Sequence, residues 1–196
     1  MTTKSNDLIV ILALALFFEA APGCIFQPRD AEPPGTDAGS TWEPADVPSK
    51  VFINLRTGVV DLTGVNYERS LNGNFTFIPT PEDERQLGPD VFANWDVDVE
   101  KQVLQKILGD ASIAEVSFVN PQNILGTSTT ATFQSPYILK ITDQTSGNVN
   151  EFQAVAEFDM VKVGSGWQLI QWRDIEFVEG FATWGFLRGN NRQVGN

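Results

Sequence analysis

Residues 164–185 read GSGWQLIQWRDIEFVEGFATWG, and they decide the fold. Gly164, Ser165 and Gly166 form a hairpin turn signal. Trp167, Leu169, Gln171, Arg173, Ile175 and Phe177 then alternate with Gln168, Ile170, Trp172, Asp174 and Glu176. A period of two is that of a strand. Both faces carry bulk, so the strand is covered on both sides over part of its length. The stretch holds Trp167, Trp172 and Trp184, three of the five tryptophans. It predicts a central strand and a C-terminal neighbour, with Trp184 and Phe186 on a last short strand.

The preceding residues supply its partners. Phe152, Ala154, Ala156, Phe158 and Met160 share one strand face. Ala114, Val116 and Phe118 alternate on another strand, and residues 127–141 are rich in β-formers, with Pro136 predicting a bulge or an edge. Helical spacing appears earlier. Phe52, Leu55 and Val59 follow Ser49 as a cap, and Thr63 caps a short helix carrying Tyr67 and Leu71. Trp95, Val99, Val103 and Ile107 form the longest stripe, with Asp96 and Asp98 at its start and Gly109 as its stop. Asn72, Gly73 and Asn74 read as a turn before a strand at residues 75–78, and residues 79–89 as a charged loop. Helices followed by long antiparallel strands predict an α+β fold, N-terminal helices packed in the concave face of a strongly curved antiparallel sheet.

Composition excludes several functions. The chain has no histidine, which removes His-based acid–base catalysis and His metal sites. One cysteine allows no intrachain disulfide and no cysteine zinc site. A net charge of −12 argues against a nucleic-acid backbone as partner. No phosphate loop, nucleophile elbow or metal motif is present. No cofactor is therefore expected.

The N-terminus reads as an address. Residues 8–18, LIVILALALFF, are apolar, too short for a bilayer-spanning helix but suited to a signal peptide. Gly23 and Cys24 follow, and resemble the lipobox of bacterial lipoproteins. That resemblance implies a signal peptide at 1–23, acylation of Cys24 (palmitate among the acyl chains), and a membrane anchor in the bacterial envelope, with the outer membrane preferred. An ordinary secretory signal with an incidental cysteine is the alternative. Residues 24–47, rich in proline and glycine, read as a flexible tether in which Trp42 packs on the domain edge. A folded domain is expected at 48–188 and a disordered tail at 189–196.

Trp167, Trp172 and Asp174 after the glycine hairpin, Trp184–Gly185, residues 67–71 (YERSL) before Asn74 and Phe75, and Trp95–Asp96 together resemble the nuclear transport factor 2-like, or SnoaL-like, superfamily. The resemblance implies a cystatin-like cone with a pocket at its mouth. It brings members that are isomerases, dehydratases or cyclases, others that only bind, and pairing of copies through the open sheet face. Pocket-lining residues are expected to be Tyr67, Trp95, Phe133, Trp172 and Trp184. Two readings follow. In one, the cone binds a small apolar ligand or an envelope protein without chemistry. In the other, Asp174 is a general base and Tyr67 a hydrogen-bond donor. Against these stand plainer roles: Asp174 paired with an arginine or at the sheet rim, Tyr67 a core phenol, Arg173 a cross-strand partner of an acid.

Overall fold

A computed structural model describes residues 42–193; the expected signal peptide, Cys24 and most of the tether lie outside them. Helix α1 (Ser49–Val60) and α2 (Val65–Ser70) lead into strand β1 (Leu71–Ile78). Helix α3 (Pro81–Leu87), a 3-10 turn (Pro89–Val91) and α4 (Val97–Gly109) follow. Strands β2 (Ala111–Phe118), β3 (Gln122–Gly126), β4 (Thr130–Asp143), β5 (Val149–Val163) and β6 (Gly166–Phe177) precede the last helix, α5 (Trp184–Gln193). The fold is α+β, with one six-stranded sheet in the order β1-β6-β5-β4-β2, and β3 on β4. All pairings are antiparallel except β1 with β6, which run parallel. The sheet is therefore mixed, because β1 enters beside the last strand rather than by a hairpin.

One face of the sheet is apolar and carries the helices. Phe133, Tyr137 and Leu139 of β4, Ala154, Ala156, Phe158 and Met160 of β5, and Leu169 and Trp172 of β6 are buried there. The other face is polar: Arg173 meets Glu157 at 2.6 Å and Lys140 meets Glu151 at 3.3 Å, the cross-strand role expected of Arg173. In β6 the inward residues are Trp167, Leu169, Trp172 and Asp174. The parity changes between Leu169 and Trp172 because the register with β5 shifts between Asp159 and Met160, a bulge. Pro136 stays in the ladder opposite Val155, at the point where the neighbour of β4 changes from β2 to β3.

Four expectations are corrected. Residues 72–74 lie within β1 rather than in a turn before it, although the pairing with β6 is irregular there, between Leu71 and Thr76. The expected loop at 79–89 contains α3, started by a capping box between Thr80 and Asp83 with Pro81 at its first turn. Ser49 is the first residue of α1 and makes no cap; Pro48 precedes it. Trp184 and Phe186 lie on a helix rather than a strand, and that helix reaches Gln193, into the stretch expected to be a disordered tail. Two glycines let α5 pack closely. A Cβ on Gly189 would lie 2.6 Å from Leu87 Cδ1 and 2.7 Å from Phe92 Cζ. A Cβ on Gly185 would lie 3.0 Å from carboxylate oxygens of both Asp83 and Asp174. Trp42 sits under the Arg69 guanidinium, 4.2 Å from its ring centre.

Candidate functional site

Helix α5 carries two large side chains into the concave face. Trp184 and Arg188 are four residues apart, so they project from one face of the helix. Both are 1% exposed. Trp184 meets the rings of Trp172 at 4.9 Å, Tyr67 at 6.0 Å and Tyr137 at 6.1 Å. The Arg188 guanidinium lies 4.3 Å from the Trp172 ring centre, 4.4 Å from Phe77 and 4.6 Å from Trp184. An aromatic cage around a cation is attractive when desolvated. Its counter-ion is Glu100 of α4. Arg188 Nε and Nη2 donate to Glu100 Oε1 at 3.1 and 2.8 Å. Trp95 Nε1 donates to Glu100 Oε2 at 2.8 Å, and Tyr67 OH to Glu100 Oε1 at 2.6 Å. Burial is the largest single influence and works against the charged guanidinium, but Glu100, Tyr67 and Asp174 together outweigh it and hold the Arg188 pKa above its ordinary value.

A second acid stands beside this pair. Asp174 is 2% exposed. Trp172 Nε1 donates to its Oδ1 at 2.8 Å. Tyr137 OH and Gly185 N donate to its Oδ2 at 3.0 and 3.2 Å. Trp184 N in turn donates to Tyr137 OH at 2.8 Å. Asp174 therefore sits at the N-terminus of α5, where the helix dipole favours an anion. Burial still dominates: it raises the carboxyl to about 6, against the pull of Arg188 and the bonds from Trp172 and Tyr137. Burial likewise holds both phenols, Tyr67 and Tyr137, well above their ordinary range. The group could exchange a proton near neutrality, but only with its own neighbours while α5 stays in place.

The cavities lie elsewhere. One of about 590 Å³ opens where α1 crosses the β2–β4 side of the concave face, and is lined by Phe52, Ile53, Val60, Phe118, Pro121 and Phe133 with Arg56 and Asp61 at its border. Phe52 stacks edge-on with Phe133 at 5.5 Å and with Phe158 at 5.1 Å, so the cavity floor is the aromatic core itself. Of the expected pocket residues, Phe133 borders this cavity. Tyr67, Trp95, Trp172 and Trp184 border neither it nor the smaller cavities described for the chain, because α5 fills the space they would line. Asp174 and Tyr67 are not directly joined either: the phenol on Asp174 is that of Tyr137, while Tyr67 serves Glu100. The sequence reading missed Glu100 and Arg188. The signal was present: Glu100 stands with Val103, Leu104 and Ile107 on the apolar stripe of α4, where a lone charge implies a buried partner.

The chain has an α+β fold in which helices pack on the concave face of one six-stranded sheet, and α5 fills part of that face. Its fold is similar to that of a candidate scytalone dehydratase from Novosphingobium aromaticivorans, at TM-score 0.55 and 11% identity over 69% of this chain and 88% of that one. It is also similar to a protein of Kribbella flavida, Kfla4162, at TM-score 0.54 and 12% identity over 71% and 93% of the two chains. A candidate aromatic ring hydroxylase from N. aromaticivorans matches at TM-score 0.54 and 9% identity, over 66% and 86%. No family model matches the sequence, and no curated protein matches it. At such identities the likeness is one of fold.

Proposed function

We propose that the protein is a lipid-anchored component of the bacterial envelope whose cone domain binds a small apolar ligand without transforming it. The observation that carries this reading is the aromatic-floored cavity of about 590 Å³ beneath α1. Its volume is that of a small-molecule site, and its walls are mostly apolar. The candidate base Asp174 and the donor Tyr67 are buried and do not border it. The anchor rests on the lipobox-like placement of Cys24 after the apolar run.

A fluorescent apolar probe, N-phenyl-1-naphthylamine, tests the cavity on protein lacking residues 1–24. Saturable binding that alkyl ligands displace is expected. Ile53→Asp places a charge on an exposed rim position and should weaken binding about tenfold or more. Unchanged affinity in that variant, or no saturable binding, would remove the reading. For the anchor, Cys24→Ala should move the protein from the membrane fraction to the soluble one.

The second reading is catalysis at Asp174, favoured by its carboxyl standing near 6 inside an aromatic cone. It requires α5 to leave the concave face in the working state. Protection of the Trp184 and Arg188 amides from hydrogen exchange to the level of the β5 core would count against it.

A further inference from the structure

The cavity beneath α1 is mostly apolar, but two charged residues of opposite sign stand at its border. Helix α1 ends at Val60, and Asp61 follows as its C-terminal cap. Asp61 borders the cavity. Its Oδ1 accepts from Thr63 Oγ1 at 3.3 Å. Its Oδ2 is buried and has no hydrogen-bond partner among the described residues. A buried carboxylate oxygen without a donor is costly unless something supplies one. The position adds to that cost, because the carbonyl end of a helix disfavours an anion.

Arg56 borders the same cavity. It is exposed and makes no ion pair or hydrogen bond among the described residues. It also borders a neighbouring hollow with Glu115 and Lys140; Lys140 pairs with Glu151, and Glu115 makes no ion pair. Arg56 and Asp61 are five residues apart, about 7.5 Å of helix rise, and are not paired with each other. They place a free cation and a carboxylate short of a donor toward the C-terminal half of α1, while Phe52, Phe118, Pro121 and Phe133 line the rest. A simple anion would answer Arg56 and leave Asp61 Oδ2 without a donor, and the net charge of −12 opposes its approach. A simple cation would leave Arg56 unpaired. A ligand carrying both charges meets both residues and is neutral overall.

We infer, resting on the reading of this cavity as a ligand site, that it takes an α-amino acid with an aromatic side chain. The ammonium donates to Asp61 Oδ2, the carboxylate accepts from Arg56, and the ring lies against Phe52, Phe118 and Phe133. Both charges of such a ligand sit on one carbon, and aromatic rings pack edge-on or offset against a floor of phenyl groups.

Three probes share one indole: L-tryptophan, tryptamine, which lacks the carboxylate, and indole-3-propionate, which lacks the ammonium. Each is titrated calorimetrically into the full-length protein. L-tryptophan should bind about tenfold or more tightly than either of the others, as a charge-assisted bond at each end implies. Arg56→Gln should bring L-tryptophan down to the level of tryptamine and leave tryptamine unchanged. Asp61→Asn should bring it down to the level of indole-3-propionate. Asp61 also ends α1, so Arg56→Gln, a change at an exposed position, decides alone should the other variant fail to fold. Equal binding of the three probes, no binding of L-tryptophan, or full affinity in either folded variant would overturn the assignment. Saturable binding of N-phenyl-1-naphthylamine beside such a result would confine the failure to the charged end and keep the cavity as an apolar site; loss of both would remove the underlying reading as well.

Discussion

Arg188 and Glu100 illustrate how much one residue can carry when water is absent. Each is 1% exposed, and each has the other as its ion-pair partner. The attraction inside the cone offsets two desolvation costs, so the intact pair adds little net stability. Breaking it is another matter. Arg188→Met leaves Glu100 charged, buried and short of two donors, and should cost about 3–5 kcal/mol in urea unfolding. Adding Glu100→Gln to that variant should recover part of the loss, which an independent pair of losses would not do. Asp174 supplies the second residue-scale test. Its pKa is about 6 in the fold against an ordinary 3.8. The folded state thus holds a proton that the unfolded state has released between those values. Stability from this group is fully present below about pH 3.8 and is lost as pH rises through 6. The span corresponds to about 3 kcal/mol. Asp83, raised by burial, slopes the same way. Asp174→Asn should flatten most of that slope in unfolding curves taken across pH 4–7, and an unchanged slope would show that another group sets it.

At the scale of the element, α5 is the instructive case. Its sequence, WGFLRGNNRQ, contains two glycines, which on propensity alone oppose a helix. Packing outweighs that cost, because those glycines are where Leu87, Phe92 and the two carboxylates come close. Gly189→Ala should therefore destabilise by about 1–3 kcal/mol despite the better helix former, because the added methyl meets Leu87 and Phe92. Gly109→Ala, at the end of α4 with nothing within 4 Å of the new Cβ, should be neutral or stabilising by up to about 1 kcal/mol. Opposite signs for one chemical change, read by thermal or urea unfolding, separate contact from propensity. The same element shows why the sequence was only partly legible. Alternation gave β4, β5 and β6 and the polar outer face, since periodicity is a local property. It placed α4 and its Asp96 cap, which accepts from Asp98 N and Val99 N at 3.0 Å. It missed α5 because the helix is justified by neighbours about a hundred residues away. It missed α3 because charge density hid the Thr80–Pro81–Asp83 start signal. Phe133 was placed at a cavity, but the other four aromatics were not, since whether a ring lines a space or fills it depends on what else enters the cone.

For the molecule as a whole, the consequence is that α5 belongs to the core. The cone has an aromatic cavity beneath α1, whereas its Tyr67–Trp172 region is occupied by Trp184 and Arg188. A chain ending at Thr183 would lose the indole packed against Trp172, the cation opposite Glu100, and the Gly185 amide on Asp174. These losses fall on one connected network, so they should act together rather than as a sum. The shortened protein should lose cooperative unfolding and near-ultraviolet circular dichroism while keeping much of its strand signal, and should bind a hydrophobic dye, as a compact state with loosened packing does. A shortened protein that melts as sharply as the full chain would show instead that α5 is an accessory cover, and the cone beneath it would then be a pocket in its own right, with Asp174 and Tyr137 at its wall.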